Sequence, residues 1–158
     1  MQLYDAEQLA HRLMREFECD GWAFRWTYGK RQCGCASHKR NRRTGEITDR
    51  HLGLSRHLVG LNEFDVVNNT IRHEIAHIKA GLDNGHNHVW RAWCLRTGAR
   101  PERCTSSANM PDPAWKAICT LCDAVLARRH RRTKKLHRAY CNHCGPTSIG
   151  KIVWREAA

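Results

Sequence analysis

The sequence predicts an α+β fold in two parts: a small antiparallel sheet flanked by helices, then a compact cysteine module. Three observations carry this. Trp22 to Tyr28 alternates strictly between aromatic and other residues, as a half-buried strand does. Val67, Ile71, Ile75 and Ile78 recur at helical spacing. Cys119 and Cys122, then Cys141 and Cys144, form two CxxC pairs with 18 residues between them.

In chain order, Asp5 with Gln8 three residues later reads as a helix cap. Leu9, Leu13 and Phe17 follow at four-residue intervals, and Gly21 is expected to stop that helix. The strand comes next, with Trp22, Phe24, Trp26 and Tyr28 on one face. Gly29 and Gly34 punctuate the following segment, Thr44-Gly45 reads as a turn, and His51 to Ser55 as a further strand. A helix is expected from about Glu63 to Ala80, with Gly81 ending it. Another covers His88 to Arg96 and ends at Gly98. Pro101, Pro111 and Pro113 bracket a polar stretch, Cys104 to Asn109, that reads as a linker. The expected organisation is a core over 1–100, a linker over 101–114 and a module over 115–158.

The 158 residues carry a net charge of +12, which suggests a polyanionic partner, most often nucleic acid. The excess is uneven. Residues 1–112 hold 17 Lys and Arg against 13 Asp and Glu, or +4; residues 113–158 hold 10 against 2, or +8. The N-terminal stretch from Met1 to Phe17 has no apolar run suited to a signal peptide, and no segment approaches a transmembrane helix. Nine cysteines, four of them in CxxC pairs, favour metal binding over a disulfide framework. A cytoplasmic setting, associated with the nucleoid, is expected.

The richest chemistry lies in His73-Glu74-Ile75-Ala76-His77. Residues four apart share a helix face, so His73 and His77 can hold one metal ion from one side. Glu74 can then sit beside the metal and accept a proton from water. This is the HExxH arrangement of a zinc hydrolase, and it implies a minimal zincin-like core. The bland alternative is a surface helix with two idle histidines. A catalytic zinc takes three protein ligands. Position 83 is Asp, so a third His at that spacing is excluded. Glu102, His86 and His88 remain, and the turn before Gly85-His86-Asn87-His88 lets that segment fold back over the metal.

HEIAH followed by a glycine-containing turn and His86-x-x-x-Trp90 resembles the SprT-like family of zinc metalloproteases, to which the eukaryotic protease of DNA-crosslinked proteins, Spartan, belongs. Trp22-Ala23-Phe24, the basic segment Lys30 to Cys35, Leu54-Ser55 and Gly98 to Cys104 extend the resemblance over nearly the whole chain, and the distal tail resembles that of the short microbial forms. The resemblance selects His86 as the third ligand, beside His73 and His77, with Glu74 as general base. It implies a zinc endopeptidase that cleaves DNA-bound or DNA-crosslinked proteins. The long partner-binding tail of Spartan is lacking, so its ubiquitin-binding and clamp-binding roles are not carried over.

Cys119, Cys122, Cys141 and Cys144 have the spacing of a four-cysteine structural zinc, so the C-terminal module is expected to be a zinc ribbon. Two zinc ions are thus expected, one catalytic and one structural. Between the pairs lie Arg128, Arg129, Arg131, Arg132, Lys134, Lys135 and Arg138 with no acid among them. A run this dense suits phosphate contacts to single-stranded or structured DNA. Its bland reading is a solvated face. Lys30, Arg31, Lys39, Arg40, Arg42 and Arg43 form a second basic set, of which the same can be said. Cys33-Gly-Cys35 has no clear partner pair. Cys19, Cys94 and Cys104 are expected to be buried or incidental. The expected partners are DNA and DNA-bound protein substrates, with no membrane, and the chain is expected to be a monomer.

Overall fold

The computed structural model describes residues 1–103 and 108–157, so Cys104 lies outside the described residues. The chain is α+β and divides into two compact units, Met1–Pro111 and Asp112–Ala158.

The first unit opens with α1 (Leu3–Glu16). Ala6, Leu9, Ala10, Leu13 and Met14 are buried, one stripe at 3.6-residue spacing. Gln2 is the N-cap and Asp5 lies inside the first turn. The expected Asp5 cap is therefore displaced by three residues, and its charge faces the positive end of the helix dipole instead. The helix ends at Glu16, a turn before Gly21, whose φ of +75° serves the turn into the next strand.

That strand, β1 (Ala23–Thr27), turns Phe24 and Trp26 to the core, with Trp22 beside them. Tyr28 falls past the strand end and is exposed, with the Arg56 guanidinium 5.6 Å from its ring centre. It does not extend the aromatic face, because the backbone leaves the sheet at Gly29. Next come β2 (Gly34–Arg40) and β3 (Ile47–Ser55), a hairpin closed where the Asn41 side chain accepts from the Arg43 and Thr44 amides and Gly45 takes φ +74°.

The strand order is β1-β3-β2. β2 pairs antiparallel with β3, but β1 pairs parallel with it, so the expected antiparallel sheet is mixed. The reason is in β3. Leu52, Gly53, Leu54 and Ser55 are all buried, the signature of a central strand, and its second edge was open to β1. Arg25 of β1 and Lys39 of β2 both pair with Asp49 across it.

α2 (Arg56–Leu61) follows without a break and was not foreseen. α3 (Phe64–Ala80) buries Val67, Ile71 and Ile75 fully against α1 and the sheet, and Gly81 ends it with φ +87°. A 3-10 turn at Leu82–Asn84 leads to α4 (His88–Thr97), closed by Gly98 in the left-handed region. Part of the stretch expected as linker packs on this unit. Asn62 and Asn109 bond reciprocally at 2.7 Å, and Ala108 and Met110 join the core.

The second unit is a three-stranded antiparallel sheet, β4 (Trp115–Cys119), β5 (Val125–Arg129) and β6 (Ile152–Glu156), in the order β5-β4-β6. Among the described residues its buried apolar core is Ala117, Cys119, Cys141 and Ile152. Among the described residues no helix is long and apolar enough to cross a membrane.

Candidate functional site

One turn of α3 carries His73, Glu74 and His77. Across the turn, the Asn87 side chain caps α4 by accepting from the Val89 and Trp90 amides, which fixes how the chain re-enters the helix after His86. The Nε2 atoms of the three histidines converge, 3.3 Å between His77 and His73, 3.2 Å between His77 and His86, and 3.4 Å between His86 and His73. A triangle of imidazole nitrogens cannot satisfy itself with hydrogen bonds, since facing lone pairs repel and each neutral ring has only one N–H. A cation resolves it. Metal–nitrogen bonds of about 2.0–2.1 Å in a tetrahedron put neighbouring nitrogens about 3.3–3.4 Å apart, which is the observed spacing. The donor set therefore fits zinc. His88 starts α4 on the exposed side and Glu102 is exposed; neither joins the group.

Burial holds the rings neutral. It lowers His73 to about 4, helped by His86, and His77 to about 4, helped by His73 and His86. His86 is lowered too, by burial and then by Arg103. Trp90 forms the floor. It is fully buried, stacked on His77 at 5.3 Å and edge-on to His86 at 4.5 Å and His73 at 4.9 Å. The sequence marks Trp90 only by its spacing from His86; that one indole touches all three rings is a tertiary fact.

Glu74 is buried beside this triangle, under β2. Burial pushes its carboxyl up to about 8, and the Ala36 backbone amide acts in the opposite sense. The Ser55 amide donates to the Cys33 carbonyl, so odd-numbered residues of this segment bond to β3 and the amides of Gly34 and Ala36 face the open edge. A cleft of about 570 Å³ runs between β2 and α3 past the histidines, with Arg31 and Arg103 among its lining residues. Cys33 and Cys35 also line it, and burial followed by the Glu74 charge pushes the Cys35 thiol up. The sequence placed Arg31 in a basic set but gave none of these residues a place beside the histidines. Cys35 belongs to β2 and Arg31 and Cys33 lead into it, while Arg103 follows α4, and no local pattern encodes their approach to Glu74.

In the second unit Cys119, Cys122, Cys141 and Cys144 bring their sulfurs together, 4.0 Å apart for Cys119 and Cys144 and 3.6 Å for Cys122 and Cys141. Zinc–sulfur bonds of about 2.3 Å in a tetrahedron require about 3.8 Å, so this set fits zinc as well. The Cys144 backbone amide is the main influence lowering the Cys141 thiol. Ser148, fully buried, accepts from the Cys141 amide at 2.7 Å and orients that knuckle.

The basic run is not one loop. Arg128 and Arg129 end β5, Arg131 and Arg132 lie in the turn, and Lys134, Lys135 and Arg138 belong to a 3-10 segment. All seven are exposed, and among the described residues none is ion-paired with a carboxylate. The Arg132 guanidinium lies 4.6 Å from the Trp115 ring centre. Strand register sets Arg128 and Arg155 on either side of Lys116, a cationic row the sequence could not reveal.

The fold and these two donor sets define an α+β protein with a three-histidine and a four-cysteine group, each able to hold a metal ion. The SprT-like family matches residues 4–111, and the chain belongs to that family, whose members are generally metallopeptidase-like. No curated protein and no solved structure gives a significant match to the chain.

Proposed function

We propose that this protein is a zinc-dependent endopeptidase that works on DNA and cleaves DNA-bound or DNA-crosslinked proteins. The convergence of three Nε2 atoms within 3.4 Å, beside a buried carboxylate at an open cleft, is the observation that carries it. His73, His77 and His86 hold the catalytic zinc of a zincin-like core. When bound, zinc supplies the charge that draws Glu74 toward its ionised form, acidifies a water and polarises the scissile carbonyl. Glu74 takes the proton of the attacking water and delivers it to the leaving amine. Burial on one side and β2 on the other hold its carboxylate in place for both transfers. Cys119, Cys122, Cys141 and Cys144 close a structural zinc in a ribbon. The exposed cations of that ribbon, Arg128, Arg129, Arg131, Arg132, Lys134, Lys135 and Arg138, hold DNA phosphates.

Substrate choice then comes from tethering to DNA. The test is incubation of the pure, zinc-loaded protein with a DNA-binding protein, with and without single-stranded DNA, and with Glu74→Gln as control. Cleavage that needs both DNA and Glu74 is expected. Cleavage independent of DNA would remove the tethering. No cleavage would leave the second reading, a nucleic-acid-binding zinc protein with an inactive or structural HExxH site. That reading draws on a carboxyl pushed up to about 8, protonated near neutral pH unless a cation sits beside it.

A further inference from the structure

We infer that Gly34 is the positioning residue for Glu74: the empty space where a side chain would stand is what seats the Glu74 carboxylate beside the histidines. A methyl built on Gly34 would lie 2.9 Å from Glu74 Cγ, 3.0 Å from its Oε1 and 3.1 Å from Thr70 Cγ2. Saturated carbons settle at about 3.5–4.0 Å, so a side chain there cannot coexist with Glu74 as it stands. Backbone conformation is not the reason for glycine, because Gly34 is not among the glycines with positive φ. Close approach is.

The neighbours decide which group would give way. Thr70 is buried and its hydroxyl donates to the Val66 carbonyl at 2.9 Å, so that side of α3 is fixed. β2 is held by its ladder to β3 from Gly34↔Leu54 onward. The Glu74 side chain, reaching out from α3, is the movable part. Two residues along the same strand, the Ala36 amide faces the open edge and favours the charged form of the carboxylate. One strand thus supplies the space in which the carboxylate stands. The inference rests on the reading of Glu74 as the proton-transferring group.

The experiment compares Gly34→Ala with Gly60→Ala, whose added methyl meets nothing within 4 Å. Gly34→Ala is expected to keep two zinc ions per chain and a KM within about 2-fold of wild type, while kcat falls about 10–100-fold, as an ångström of misplacement costs. Gly60→Ala should match wild type. A thermal cycle reads the same contact without activity. Gly34→Ala should lower Tm by about 3–10 °C in the wild-type background, and by much less on top of Glu74→Ala, which vacates the space. A kcat within 2-fold of wild type, or an equal Tm loss in both backgrounds, would overturn the inference. If Gly34→Ala alone does not fold, folding of the double variant supports it and failure of both overturns it. If the wild type cleaves nothing, the endopeptidase reading fails, and the thermal cycle still decides whether Gly34 seats Glu74.

Discussion

Glu74 binds a proton in the folded, metal-free chain that the unfolded chain releases, because burial lifts its carboxyl from the ordinary 4.5 to about 8. The sign follows. Its contribution to stability is present below about pH 4.5 and is lost as pH rises toward 8. Metal-free Glu74→Gln should lack that decline, which melting curves at pH 6.5 and 8 check; parallel losses in both proteins would contradict it. With zinc bound, Glu74→Gln should keep the fold and both metals while cleavage falls to background, since the amide is the same size but accepts no proton. His86 makes a second prediction at this scale. His86→Ala should lose the zinc of the histidine site and His88→Ala should keep it, read by metal analysis. The sequence offered both histidines at one turn; only the distances to His73 and His77 separate them.

Helix α4 matters for where its start is fixed. Asn87 accepts from two amides there, with His86 just before it and Trp90 in the first turn. Removing an N-cap costs about 1 kcal/mol. Asn87→Ala should therefore lower stability by about that amount and weaken zinc at the histidine site, leaving the cysteine site untouched. Equal weakening at both sites, measured by chelator competition, would show that the cap does nothing particular for His86. The boundaries of α3 and α4 were legible because apolar spacing and Gly81 and Gly98 are local signals. The parallel pairing of β1 was not, because pairing direction is set by which edge of β3 remains open.

Across the molecule, the two sets of metal-binding side chains and the charge are distributed between two units. Fresh protein should contain two zinc ions per chain. A mild chelator should strip the histidine site first, since it leaves a coordination position open. Loss of the second should unfold the β4–β6 sheet, whose buried core of four residues is too small to stand without it. Hydrogen exchange resolved to the two units would detect this; a sheet that stays protected after both ions leave would refute it. Arg128, Arg129, Arg131 and Arg132 changed together to Ala should weaken DNA binding on unrelated sequences alike and flatten its salt dependence, because each phosphate contact releases counterions. Lys116 stands beside Arg128 in the sheet, with Arg155 on its other side, and both should add to the same effect. A salt titration on one labelled oligonucleotide, with equal slopes for both proteins, would reduce the run to a solvated face.

The sequence by itself determined the candidate ligand types and their local spacing: two histidines one helical turn apart with a glutamate between them, and two CxxC pairs at the spacing of a four-cysteine metal site. These are fixed by helix periodicity and by knuckle geometry, both short-range. Tertiary structure decided the rest. It brought His86 within 3.2 Å of His77, slid Trp90 beneath all three rings and laid β2 so close to Glu74 that only glycine fits at position 34. It also divided the basic run among a strand, a turn and a 3-10 segment. Each of these depends on which surfaces the packed core leaves facing one another, and no local window of the chain contains that information.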